Sequence, residues 1–258
     1  MSTTRLALRQ VGYTNKAFWR NPAAAFFTFA FPIMFLIIFT TLFGNNQVEV
    51  LPHVFVHQST FYVAAMSAFA VISACYTNIA IQVSFQRDNG ILKRIRGTPL
   101  PGASYLSGRV MHAVIIAFIL VAINVTYGRI FYSATLSART LPAFVLTIFV
   151  GAASFAALGL AITTIIPNAD AAPAIVNASI LPILFLSDIF IPLTSRTPRW
   201  VDVVSNIFPV RHFAEAMQTA FFSPTGSGFQ WGDLAVVAAW GVFGLIVAVR
   251  FFTWEPRR

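Results

Sequence analysis

The order of apolar and polar positions divides the chain into long apolar blocks separated by shorter polar ones. Six blocks stand out: about Ala23–Phe43, Thr60–Val83, Leu106–Tyr127, Leu141–Ile166, Ala171–Phe190 and Leu234–Phe252. Each carries the roughly 20 residues that cross about 30 Å of hydrocarbon at a helical rise of about 1.5 Å per residue. A span in lipid must satisfy its own backbone, so each is read as a helix. The pattern predicts an all-α membrane protein with six transmembrane helices. A tight turn, Pro167–Asp170, joins the fourth and fifth. The first block exceeds the roughly 7–15 apolar residues of a signal-peptide core, and no small-residue cleavage site follows it, so it is expected to persist.

Three shorter stretches follow other rules. In residues 1–22, Arg5, Arg9, Lys16 and Arg20 fall within about 60° of one another on a helical wheel, opposite Ala7, Val11 and Phe18. That spacing predicts an amphipathic helix lying in the membrane interface, broken by Pro22. Residues 191–233 are cut by Pro192, Pro198, Pro209 and Pro224. Their two apolar runs, Trp200–Phe208 and Phe213–Phe221, are too short to span and too apolar for open water. They predict a re-entrant helix pair before the last span.

The third stretch, Gln86–Pro101, holds the densest charge in the chain: Arg87, Asp88, Lys93, Arg94 and Arg96. Asp88 or Asn89 is placed to cap a short helix, Gly97 to end it, and Pro99 to stop its continuation. Ile91, Leu92 and Ile95 share one side of that helix. Two readings fit these residues: a docking element with an apolar edge, or a basic anchor that only sets topology. The expected organisation is an interfacial helix at 1–22 and one transmembrane domain at 23–258. Within that domain, 84–105 form an inner loop and 191–233 an outer re-entrant segment.

Composition narrows the class. With 57% hydrophobic and 10% charged residues, the chain cannot clothe a water-facing surface, since soluble domains carry about 25% charge. The net charge of +9 sits beside apolar blocks, so membrane anchoring explains it better than nucleic acid does. With the N-terminus inside, twelve Lys and Arg fall in cytoplasmic segments and five outside, which places both termini in the cytoplasm. The lone Cys75 excludes an internal disulfide.

Candidate chemistry is sparse. No G-x-x-x-x-G-K-[ST], H-E-x-x-H or G-x-S-x-G occurs, so the chain carries neither its own P-loop nor a familiar catalytic constellation. His53 and His57 lie four apart, but Pro52 and the strand-forming Val54–Val56 run argue against a helix there, and no metal site is expected. Asn78, Asn124 and Asn177 lie within spans and should face protein or a path, because lipid cannot satisfy them. Arg109 is read as an anchor snorkelling to the interface, and Asp188 as a helix-end or pathway residue. These residues leave open a carrier powered from elsewhere, a secondary transporter or channel driven by an ion gradient, and, more weakly, a membrane enzyme.

Two blocks resemble one family. R-D-N-G-I-L-K-R-I-R-G-T-P-L-P (Arg87–Pro101) is similar to the acidic–x–Gly–x–Leu…Thr–Pro–Leu pattern that permease subunits of type-2 ABC exporters carry after their second span. The late block Ser187–Ala216, with S-D-I-F-I-P-L, P-R-W-V and P-V-R-H-F-A-E-A, resembles their pattern before the last span. With six spans and the amphipathic start, the resemblance covers essentially the whole chain. It implies a non-catalytic permease that exports a drug, lipid or glycolipid. Two such chains, identical or different, would pair and dock on two separate ATPase subunits that bind ATP and Mg. Asp88, Gly90, Leu92, Arg94 and Pro99 fall on the family's coupling-loop positions, with Asp88 where Glu is usual; Arg87, Lys93 and Arg96 flank them. The implied setting is the cell membrane, the cytoplasmic membrane of a bacterium, with lipids as neighbours and no nucleic acid.

Overall fold

The computed structural model describes residues 3–43, 47–51, 54–134, 136–187, 189–190, 198–223 and 226–255. The all-α expectation holds. Helix α1 (Thr3–Trp19) is followed by α2 (Pro22–Phe43), with Pro22 at the first helical position, where its missing N–H costs nothing. A short antiparallel hairpin, β1 (Gln47–Leu51) and β2 (Val54–His57), joins α2 to the next span. His57 ends that strand, whereas His53 lies outside the described residues.

The second span is one continuous rod: α3 (Gln58–Ile72), a π-helical turn (Ser73–Thr77) and α4 (Asn78–Asp88). Gly90 then adopts φ 71°, a left-handed conformation that glycine takes without penalty, and turns the chain into α5 (Ile91–Arg96). Next come α6 (Gly102–Tyr132) and α7 (Leu141–Ile162). Last are α8 (Ala172–Phe185), α9 (Arg199–Ile207), α10 (Pro209–Phe222) and α11 (Trp231–Phe251).

Among the described residues, five helical segments are long and apolar enough to cross a membrane, and α8 is a shorter apolar sixth. The fifth block is therefore helical over only 14 residues, not over its full apolar length. At about 1.5 Å per residue α8 reaches roughly 21 Å. Pro182 interrupts its hydrogen-bonding ladder, and the chain turns at Leu186.

The α3–α4 rod is the axis of the bundle: 78% of its span is buried, against 22% for α2. Around it pack α2, α6, α7 and α10, and α11 lies along α7. Gly241 and Gly244 let the backbones of α11 and α7 approach; a Cβ at Gly244 would sit 2.9 Å from the Leu158 nitrogen. Met111, Ile115, Ile119 and Ile123 form an exposed stripe on α6, and Phe26, Phe27 and Phe31 project from α2. These are lipid-facing surfaces. Other phenylalanines of α2 pack inward, with Phe39 stacked on Tyr62 at 5.1 Å.

Helices α9 and α10, of 9 and 14 residues, are too short to span. Phe213, Ala214, Met217 and Ala220 bury α10 among α3, α7 and α11. Trp200, Val203 and Ile207 keep one face of α9 exposed. A buried short helix with an amphipathic companion is the arrangement expected of a re-entrant pair.

Candidate coupling interface

One end of the bundle is built by α1, α5 and the α7–α8 turn. Leu92 is fully buried beneath α5 and Ile95 is half-buried, while Ile91 is 41% exposed. Lys93, Arg94 and Arg96 are all exposed, as is Pro99 after the helix. The element is thus seated by one leucine and presents three cations and an isoleucine outward.

Arg87 does not belong to that outward set. It is 2% exposed, and its Nη1 donates to the Thr163 carbonyl at 2.7 Å while Nη2 donates to the Ile166 carbonyl. These carbonyls follow α7, where helices leave acceptors unsatisfied and favour a positive charge. Asp88 does not cap α5 either, because the N-cap position is Gly90, with no side-chain cap. The Asp88 carboxylate instead accepts the Ala169 N–H at 3.1 Å. Adjacent residues therefore grip the α7–α8 turn with opposite charges, one on its carbonyls and one on its amide.

Helix α1 is held on the same end. Arg5, Arg9, Lys16 and Arg20 are exposed, while Ala7 and Phe18 are buried. Its backbone lies against α6, and a Cβ at Gly108 would sit 2.9 Å from the Ala7 carbonyl oxygen. Phe18 also meets His112 edge-to-face at 5.8 Å. The helix is clamped to the bundle as well as being amphipathic.

The candidate pathway residues separate. Asn124 is buried and donates to the Met66 carbonyl at 3.2 Å, which ties α6 to α3. Asn78 accepts from Gln82 at 2.6 Å within α4. Asn177 is exposed on the outer surface of α8. Asp188 lies outside the described residues. Arg109 does not snorkel: it is 5% exposed, with Nη2 donating to Gln82 Oε1 at 3.3 Å and its guanidinium 5.6 Å from the Tyr105 ring centre. Gly108 and Tyr105 pack α6 against its neighbours at that level and hold Arg109 inside.

At the opposite end, Arg211 on α10 bonds Asp202 Oδ1 at 2.9 Å, Glu215 Oε1 at 2.6 Å and Ser205 Oγ at 2.8 Å. The next residue, His212, sets Nδ1 at 2.7 Å from Asp233 Oδ1 and Nε2 at 3.0 Å from the Asn206 carbonyl. Both neighbours accept, so the arrangement favours the protonated ring, which donates at both nitrogens. Burial lowers the His212 pKa, but the bonds to Asp233 and Asn206 and the charges of Asp233 and Glu215 outweigh it and raise the value. Ligand atoms of His212, Glu215 and Asp233 lie within 4.8 Å of one another, a spacing open to a metal. The imidazole donates at both nitrogens and Glu215 serves Arg211, so the group reads as a charge lock joining α9, α10 and α11. Sequence reasoning missed this lock. The i, i+4 pair Arg211–Glu215 was a usable signal; the Asp233 contact, 21 residues away, was not.

Comparison with known proteins gives the class. The sequence profile of the ABC-2 type transporter family matches residues 11–222, most of the chain. The chain belongs to that family and is a multi-pass transport permease. It is also similar to the transport permease ycf38 of the red alga Porphyra purpurea, at 22% identity over 228 residues. That alignment covers 84% of this chain and 76% of the relative. The corresponding protein of Pyropia yezoensis is 24% identical over the same shares.

Proposed function

We propose that this chain is the membrane-spanning permease of an ATP-driven exporter, moving hydrophobic or amphiphilic substrate such as a drug, lipid or glycolipid out of the cytoplasm or inner leaflet. Two permease chains pair in the cell membrane with their termini in the cytoplasm. Each docks a separate ATPase subunit that binds ATP and Mg. Helix α5 is the docking element: Ile91 offers an apolar contact, and Lys93, Arg94 and Arg96 set register by charge. Arg87 and Asp88 transmit its movement to α7 and α8 as rigid bodies.

The observation that carries this reading is the division of labour at Arg87–Arg96, with one part braced to the bundle and the other presented outward. Pairing is supported by Asn177, an amide on an exposed apolar helix that lipid cannot satisfy. The test is co-expression with a candidate ATPase subunit, purification through a tag on this chain, and ATP hydrolysis in nanodiscs. The ATPase should co-elute, and Arg94→Glu should release it or abolish stimulation by substrate. Absence of co-elution, with Arg94→Glu leaving transport intact and driven by an ion gradient, would overturn the reading.

A further inference from the structure

The α1–α5 end holds a buried cation with no acidic partner among the described residues. Arg109 Nη1 is buried and has no hydrogen-bond partner among the described residues. A guanidinium stays charged at any pH a protein meets, so it cannot escape burial by losing its proton. A charge in a low-dielectric site needs a counter-charge or a set of acceptors of the kind Arg87 has. Gln82 and Tyr105 supply only a dipole and a ring face.

Arg109 lies at the floor of a cleft of about 640 Å³ between α1, α4, α5 and α6. Gln10, Tyr13, Thr14 and Ala17 of α1 form one wall; Phe85, Ile91 and Ile95 lie toward α5. No Asp or Glu is among the lining residues. Deeper in, a small adjoining space shares Thr14, Asn78, Gln82 and Arg109 and adds His112, whose buried Nε2 also lacks a partner. Two unpartnered nitrogens, one turn apart on α6, thus meet one polar recess. The rest of the cleft combines aromatic and aliphatic side chains, Tyr13, Phe18, Ile81, Phe85, Ile91 and Ile95, with the amides of Gln10 and Gln86.

We propose that this cleft binds the phosphate of an anionic phospholipid drawn from the leaflet on the α1–α5 side. Arg109 holds the anion, His112 donates a second hydrogen bond when its Nε2 carries the proton, and the apolar walls cover the start of the acyl chains. A phosphate accepts from a guanidinium along two parallel N–H directions, which suits a side chain with Nη1 to spare. The cleft has the volume of a small-molecule site, far more than one phosphate needs. Exposed Arg5, Arg9 and Lys16 on α1 and Lys93 and Arg94 on α5 give the mouth a field that attracts anionic headgroups.

The experiment uses the full chain without any ATPase, so its result is independent of the coupling reading. Binding of phosphatidylglycerol with a fluorescent acyl tail is titrated against the protein in phosphatidylcholine nanodiscs. Arg109→Gln should weaken it about tenfold or more, the scale of one charge-assisted hydrogen bond. Ala17→Phe, which fills the cleft from α1 and removes no charge, should weaken it comparably and carries the test if Arg109→Gln fails to fold. Arg129→Gln, at the far end of α6, should leave binding unchanged. Undiminished binding by folded Arg109→Gln or Ala17→Phe would overturn the proposal. So would displacement of the lipid by millimolar inorganic phosphate, which would make the cleft a site for soluble anions.

Discussion

The two ends of the bundle treat charge in opposite ways. At the α9–α10 end the inward-packed cations are matched internally, Arg211 by Asp202 and Glu215 and His212 by Asp233, while Arg199 at the start of α9 is exposed. At the α1–α5 end, Arg87 rests on backbone carbonyls, Arg109 has no acid beside it among the described residues, and Lys93, Arg94 and Arg96 point outward. At the first end this inner cluster is electrostatically closed. The second is left open, and an open set of cations is what an acidic partner surface or a phosphate layer completes.

The largest test of that contrast is Arg87→Leu. It removes two buried charge-assisted hydrogen bonds and leaves two carbonyls unsatisfied, for an expected loss of about 3 kcal/mol. Thermal unfolding in detergent measures the loss, and hydrogen exchange should rise in the α7–α8 turn. If stability is unchanged, Arg87 is not a brace. Arg211→Leu is expected to cost less, about 1 kcal/mol, because its partners Asp202 and Glu215 are themselves 45% and 34% exposed. The same unfolding assay checks it. A loss larger than that of Arg87→Leu would reverse the ranking of the two ends.

The smallest expected effect is a pH dependence confined to the closed end. The raised His212 pKa means that the folded state holds this proton more tightly than the unfolded chain does. Its contribution is therefore complete below the ordinary histidine value of about 6.5, and is lost as pH rises through the raised value. Exchange at α9 and α10 should increase over that interval. Asp233→Asn should move the transition to lower pH. A midpoint unmoved by that substitution would assign the titration to another group.

Much of this architecture was legible in the residues. Apolar length predicted the spans, wheel geometry the basic face of α1, and Pro198 and Pro209 the starts of α9 and α10. Gly97 and Pro99 marked the end of α5 correctly. The caps were not legible: Asp88 looked like a cap for its own helix, yet its carboxylate serves an amide 81 residues later. Arg109 looked like an anchor, because a cation near the end of an apolar run has the same local pattern whether it faces lipid or protein. Apolar composition also overstated α8, since Leu186, Ile189 and Phe190 are apolar without being helical.

What the sequence by itself determined are the properties encoded over a few helical turns: which segments prefer hydrocarbon, which faces are basic, and where proline and glycine interrupt a ladder. Those preferences act on the chain wherever it lies. Tertiary structure alone decided which carbonyl Arg87 meets, which acid His212 meets, and that Arg109 meets none. A hydrogen bond or an unpaired charge depends on a few ångströms between segments far apart in the chain, and only packing of the bundle sets those distances.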